Sequence, residues 1–383
     1  MMKPKRLVMI PGPTPVVSGI REQMGREVAG YGDPDFVNDY KSVIEDLKAM
    51  FRTKGEVFVV AGSGTLAMEM AISNTTKRDD NVLIVSHGFF GDRFIDLCKR
   101  KGLNVDVLAS EWGDVVPVSE IEKKLCEKNY AAVTVTHVDT STGVRAEIKE
   151  IGAMLKKFPD TIYIVDGVCA TGAEIEYVDD FGIDVLFTAS QKAFGVSSGL
   201  YMLWAGEKAL ERRKSLGIIP EFYVDFDKWQ PIMDNPAKYF ATPAINLVWA
   251  LKESVRIMKE EGLEERYLRH EKNSHAIRSG LSAIGFKVLA KEPYRAVTLS
   301  NLIYPEGLDD ATFRAKALEE GVLVAGGLGP YVGKMFRFGH MGNVDIHELI
   351  ATLAAIERAL FKSGYKDFDF GKSVGVFQRE IVL

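Results

Sequence analysis

Apolar residues between positions 36 and 51 fall at Phe36, Val37, Tyr40, Val43, Ile44, Leu47, Met50 and Phe51. That is the spacing of one helix face, and it predicts an amphipathic helix there. The rhythm then changes. Short runs at Glu56 to Ala61, Asn81 to Val85, Asn104 to Leu108, Ala131 to Thr136, Thr161 to Val165, Val185 to Thr188 and Tyr201 to Trp204 are continuous and rich in β-branched residues. They do not alternate, which predicts strands buried on both faces. Helical stretches separate them, so the order predicts an α/β fold: a mostly parallel seven-stranded sheet covered by helices. Ligands of such sheets bind beyond the carboxyl ends of the strands, and chemistry is expected just after each run.

Around Asp234 to Pro243, turn residues and proline interrupt this pattern. Two long amphipathic stretches follow, Ile245 to Glu261 and a second reaching about Leu281. Strand-like runs at Lys287 to Leu289 and Val297 to Ile303, a helix over Asp309 to Glu320, a Gly-rich strand region and a last helix from Asp345 to Phe361 complete the chain. The expected division is a large domain of residues 15–244 and a smaller C-terminal α+β domain of residues 245–383, which residues 1–14 join. There is no internal repeat.

With 383 residues, 46% of them hydrophobic, the chain exceeds what a single core organises, in keeping with two domains. A net charge of -5 and the lack of a long Lys/Arg block argue against nucleic acid or an anionic membrane as partner, leaving small metabolites. No segment approaches the roughly 20 apolar residues of a membrane span. The basic start Lys3-Pro4-Lys5-Arg6 precedes an apolar run that breaks at Pro11, too soon for a signal sequence. Cys98, Cys126 and Cys169 form neither a disulfide framework nor a paired zinc motif, so no metal is expected. This usage suits a reducing compartment, and the expected location is the cytoplasm.

Three features sit at expected strand ends. Gly62-Ser63-Gly64-Thr65 follows a strand and opens a helix, so its free N–H groups favour a phosphate; alone, it reads more often as a capped turn. Asp166 ends the run Thr161 to Val165, where a buried carboxylate requires a partner. It is either a cap or ion pair, or the anion that keeps a pyridine nitrogen protonated. Lys192 lies between an apolar strand and the turn Ala193-Phe194-Gly195, where partial burial favours a Schiff-base nucleophile. Other motifs fail. His270 and His275 are one residue too far apart for a zinc-protease helix and read as surface charges. Gly371-Lys372-Ser373 lacks both the first glycine of a phosphate loop and a preceding strand, and Gly327 to Gly333 reads as a flexible turn.

Taken with Ser190-Gln191-Lys192, Asp166 makes the chain resemble the class V, fold type I, pyridoxal 5'-phosphate (PLP) aminotransferases, in the alanine-glyoxylate and serine-pyruvate branch. The resemblance runs from Ile10-Pro11-Gly12-Pro13-Thr14 through Gly62 to Thr65, Asp139-Thr140-Ser141-Thr142-Gly143 and Val165-Asp166-Gly167 to Gly329 to Gly342. It implies that Lys192 carries PLP as a Schiff base and moves the substrate proton, and that Asp166 pairs with the pyridine nitrogen. Ser63, Gly64, Thr65 and Gln191 would hold the phosphate, Phe90 would stack on the ring where this branch more often has Trp, and Thr140 would bond the ring hydroxyl. Tyr239 and Thr242 would reach the phosphate of a neighbouring subunit's cofactor, which implies a homodimer with shared sites. Arg337 would bind the substrate carboxylate as a fork, with Gly12 and Tyr31 beside it. Without the resemblance, Arg337 reads as a structural ion pair.

The chain departs from that branch at Gly30-Tyr31-Gly32, Val196-Ser197-Ser198-Gly199 and Cys169-Ala170. These positions neighbour the substrate pocket or the lysine loop and leave the amino donor open. The expected activity moves an amino group between alanine, serine or aspartate and glyoxylate or pyruvate. A cysteine desulfurase or lyase of the same fold would need a reactive cysteine near Gly326 to Arg337; none is there, and Cys169 reads as a small buried residue. A catalytically silent binding subunit is the remaining alternative, against which stands the retention of Lys192, Asp166 and Arg337.

Overall fold

The computed structural model describes residues 6–382. All seven expected strands join one sheet: β1 (Glu56–Gly62), β2 (Asn81–Ser86), β3 (Asn104–Ala109), β4 (Ala132–Thr136), β5 (Ile162–Asp166), β6 (Val185–Ala189) and β7 (Gly199–Ala205). Their spatial order is β1-β7-β6-β5-β4-β2-β3. Only β7 runs antiparallel to its neighbours, pairing Gly199 with Gly62 and Tyr201 with Ala189. Register aligns Thr136 with Asp166 and Asp166 with Phe187, so the carboxyl ends of β4, β5 and β6 form one rim.

One expectation requires correction. β3 was expected to be buried, but it pairs with β2 alone, and its residues are exposed or half-buried. Its Val-Asp-Val order already carries the alternation of an edge strand with one wet face.

The helix predicted from Phe36 is α1 (Pro34–Met50); Asp33 caps it by accepting from Asp35 N and Phe36 N, and its seven buried residues share the predicted stripe. Later come α2 (Gly64–Thr75), α3 (Phe89–Arg100), α4 (Ile245–Glu261), α5 (Leu263–Ser282) and α6 (Ile346–Lys362). A further helix, α7 (Lys372–Val382), was not expected; it packs on α5 and buries Phe377.

Two main hydrophobic clusters organise the chain. The first fills both faces of the seven-stranded sheet and takes in Val248, Leu251, Val255 and Met258, so α4 lies against the larger core. The second contains Met9 and residues between Ala276 and Phe377, around an antiparallel sheet ordered Lys287–Val288, Leu299–Ile303, Met335–Gly339, Ala325–Gly326. Leu7 and Val8 pair with Val322 and Leu323, tying the described part of the N-terminal segment to this second body. Lys3 to Lys5 lie outside the described residues. Among the described residues no helix is long and apolar enough to cross a membrane.

Candidate active site

At the rim formed by β4, β5 and β6 lies a cavity of about 170 Å³, whose lining includes Ser63, Gly64, Thr65, Phe90, Asp166, Gln191 and Lys192. The lysine turn is built by backbone contacts: Gly195 N donates to Lys192 O (2.9 Å) and Thr14 Oγ1 to the same carbonyl (2.7 Å). Lys192 Nζ donates to Pro11 O at 2.5 Å. A Cβ on Gly12, which has φ +113°, would stand 2.6 Å from Lys192 Cδ and 2.7 Å from Nζ. Only glycine lets the N-terminal segment pass this close to the lysine.

Asp166 is 3% exposed, and its Oδ1 accepts from Val168 N at 2.9 Å. Among the described residues it forms no salt bridge. Burial pushes its carboxyl up to about 7; the nearby charge of Asp139 adds to this, while the Val168 N–H and Lys192 oppose it. The ion-pair alternative for Asp166 therefore fails, and a cationic ligand group opposite it would restore an ordinary carboxylate.

The start of α2 suits an anion. Ser63 occupies the N-cap of α2 without a side-chain capping bond, so the first-turn N–H groups point toward the cleft with no intrahelical acceptor. Gln191 Oε1 is buried and unpartnered; as an acceptor it calls for a donor group, and only the NH2 of this amide could serve a phosphate. Sequence reasoning passed over Arg93, which donates to Thr65 Oγ1 (3.1 Å), lies 4.7 Å from the Phe90 ring centroid, and forms no salt bridge among the described residues. Its i+3 spacing from Phe90 was the available signal.

Phe90 is aimed by the backbone beneath it. Asp139, fully buried, accepts from Phe90 N (2.9 Å) and Gly91 N (3.1 Å) through one oxygen, and from Ser141 N and Oγ through the other. It thus caps α3 from outside the helix. Burial holds the Asp139 carboxyl above its ordinary range against these four donors.

Arg337 projects from the strand Met335–Gly339, paired with Asn301 on one side and Ala325 on the other. Its Nε donates to Gly326 O (2.8 Å) and its Nη1 to Thr140 Oγ1 (3.1 Å). The structural ion pair expected from the strand context is not formed: no carboxylate lies within salt-bridge reach among the described residues. Burial lowers the guanidinium pKa from its usual value, and Asp139 and Cys169 are near enough to oppose that.

Cys169 is the small buried residue expected: 5% exposed, it packs with Val138, Ala170 and Ala193 and also lines the cleft beside Lys192. Burial raises its thiol above the ordinary value despite Lys192, so it is a neutral wall and not a thiolate nucleophile. Tyr31, Tyr239 and Thr242 are not brought to the cleft of their own chain. Tyr239 is 61% exposed, lies 5.2 Å from Tyr31 between ring centroids, and has its hydroxyl 3.5 Å from Thr242 Oγ1. His270, expected at the surface, is completely buried: Nδ1 meets Arg266 O at 2.7 Å and Nε2 accepts from Gly342 N at 2.9 Å. Among the described residues no three His, Cys, Asp or Glu side chains are placed to hold a metal.

A small ring bearing a phosphate, an aldehyde and a basic nitrogen fits this cleft: the free N–H groups at the start of α2 suit the phosphate, the Asp166 carboxylate, without an ion pair among the described residues, suits the nitrogen, and the Lys192 amine suits the aldehyde. Together with the sheet, that places the molecule among the fold type I PLP-dependent enzymes. Comparison with known proteins narrows the class. Residues 26–328 match the family model for class-V aminotransferases. The chain is 40% identical to an uncharacterized aminotransferase of Methanocaldococcus jannaschii, over 99% of this chain and 98% of the relative. It is 34% identical to the alanine–glyoxylate aminotransferase 1 of Saccharomyces cerevisiae, over 89% and 93% of the two chains. The crystal structure of ureidoglycine-glyoxylate aminotransferase from Bacillus subtilis superposes with a TM-score of 0.93 at 27% identity, covering all of both chains. The protein belongs to the class-V aminotransferases and is a PLP-dependent enzyme acting on amino and 2-oxo acids.

Proposed function

We propose that the enzyme exchanges the amino group of alanine, serine or aspartate with glyoxylate or pyruvate, as a cytoplasmic homodimer. The observation that carries this reading is Arg337, a largely buried guanidinium without a carboxylate partner among the described residues, held by Gly326 O and Thr140 Oγ1 near Cys169, which itself lines the cleft. A desolvated cation of this kind is stabilised by an incoming carboxylate, and its planar fork can bind both oxygens. The yeast relative is named for alanine and glyoxylate, and a relative from Hyphomicrobium methylovorum, 34% identical, for serine and glyoxylate.

Bound PLP supplies the electron sink that makes the bonds of the substrate α-carbon labile. The roles of the side chains follow. Lys192 would hold the cofactor through its amine, and the same amine is placed to carry a proton to and from the substrate α-carbon. Asp166 would keep the ring nitrogen protonated. Ser63, Gly64, Thr65 and Gln191 would hold the phosphate, Phe90 would stack on the ring, and Thr140, which orients Arg337 through its Oγ1, would bond the ring hydroxyl. Gly12 admits the substrate beside Lys192. The exposure of Tyr31, Tyr239 and Thr242 supports their acting in the neighbouring subunit's site. Three free cysteines support a reducing location.

The test is Arg337→Lys with alanine, serine and aspartate as donors and glyoxylate and pyruvate as acceptors. Michaelis constants should rise for every substrate, by about ten- to a hundredfold for a lost fork, with the cofactor's absorption unchanged. If one donor alone were lost, or the cofactor with it, Arg337 would not be the shared carboxylate anchor.

A further inference from the structure

We propose that Arg266 is a positioning residue for transamination, fixing the mutual geometry of the turn that carries Lys192 and the loops that follow the strands of Asp166 and Arg337; the inference rests on the roles assigned to those three above. Arg266 lies on α5, outside the cleft, and its side chain is completely buried. Its Nε donates to Gly172 O (2.9 Å), in the loop that follows Asp166. Its Nη2 donates to Ala193 O (2.7 Å), the residue after Lys192. Both Nη groups reach Asn343 Oδ1 (3.3 and 3.4 Å), in the loop that follows the strand of Arg337, and Nη1 pairs with Glu261 Oε2 at 2.6 Å. One rigid fork therefore spans three loops that are far apart in sequence.

The neighbouring residues of α5 reinforce the grip. The Arg266 carbonyl takes the Nδ1 proton of His270, which leaves Nε2 to accept from Gly342 N (2.9 Å), and Arg269 Nη2 donates to Gly342 O (3.0 Å). Asn343 itself is seated on the lysine turn: a Cβ on Gly195, at φ +63°, would stand 2.8 Å from Asn343 Nδ2. A buried guanidinium is costly to desolvate, and an apolar side chain of similar volume could fill the same space. What arginine adds is direction. A lysine ammonium has no planar fork and cannot meet Gly172 O, Ala193 O and Glu261 in these orientations at once. A misplacement of about 1 Å between reacting groups costs on the order of a hundredfold in rate, so small shifts among these loops would register in turnover.

The experiment compares PLP-loaded wild type with Arg266→Lys and Arg266→Met, all well below their melting temperatures. Three quantities are read: kcat, KM for the amino donor, and the pH midpoint at which the visible absorption of the Lys192-bound cofactor changes. Arg266→Lys should lower kcat by about ten- to a hundredfold, alter KM less than kcat, and displace the pH midpoint. A variant that melts earlier but keeps wild-type kcat and midpoint would overturn the proposal, leaving Arg266 a packing residue. Should the arginine variants fail to fold, Asn343→Ala removes one of the three tethers; the same displacement of midpoint with a reduced kcat is expected, and wild-type values would overturn the proposal. Failure of the functional reading itself is separately visible, because wild type would then lack a borohydride-fixable cofactor on Lys192, and the proposal would fall with it.

Discussion

Replacing Asp166 by Asn should stabilise the cofactor-free protein while disabling the enzyme. The side chain is 3% exposed, and its pKa is raised from 3.8 to about 7, chiefly by burial. Asn has the same shape and can still accept from Val168 N, so the variant removes the charge and little else. The sign follows from linkage. A carboxyl whose folded pKa lies above its unfolded value favours the folded state only while protonated, so wild type loses stability as pH rises from about 4 through about 7. At about 1.4 kcal/mol per pKa unit, the loss reaches about 1.5 kcal/mol at pH 5 and about 4 kcal/mol at pH 8. Water entering the open cleft makes these upper bounds, so about 2–4 kcal/mol is expected at pH 8. Urea denaturation of both apo proteins at pH 5 and pH 8 measures the difference directly. The variant should be the more stable, with a gap that widens toward pH 8. With PLP bound the gap should shrink, because a protonated ring nitrogen compensates the wild-type carboxylate. A variant no more stable than wild type at pH 8, or a gap independent of pH, would show that the carboxylate is not held against its solvation preference.

Two further substitutions address the lysine. Lys192→Ala should abolish borohydride-stable retention of the cofactor and cost at least about 10²- to 10⁴-fold in turnover from proton transfer alone; retention of labelled cofactor after reduction is the measurement. Gly12→Ala places a methyl group 2.6 Å from Lys192 Cδ in a left-handed backbone conformation, so it should lower stability by about 1–3 kcal/mol and displace the lysine. Calorimetry and visible absorbance report the two effects, and an unchanged lysine spectrum would place Gly12 outside the site.

The strands were readable because burial on both faces leaves a mark in composition, as in the run Ile162–Val165. Lys192 and Asp166 were readable because they end such runs. The remainder depends on partners remote in sequence. α7 begins where Glu357 of α6 accepts from Gly371 N (2.6 Å), Ser373 N (2.8 Å) and Ser373 Oγ (2.6 Å). The triplet that resembles the end of a phosphate loop is thus a helix start capped by a carboxylate some 15 residues away in sequence, and nothing local announces it. Arg93 was missed for a related reason: a surface-like arginine gains a role only when α3 and the loop after β5 are placed around one cleft. His270 looked polar and exposed because the backbone groups that satisfy it come from its own preceding turn and from Gly342.

The N-terminal segment pairs with Val322 and Leu323 at Leu7 and Val8, passes against Gly339 of the four-stranded sheet through Ile10, and ends with Thr14 bonded to Lys192 O. A strand in one body and the reactive lysine of the other are therefore joined by a few residues of extended chain. Any pull on this segment, from a fusion or a tag upstream, would therefore be felt at the site of chemistry before it was felt by the fold.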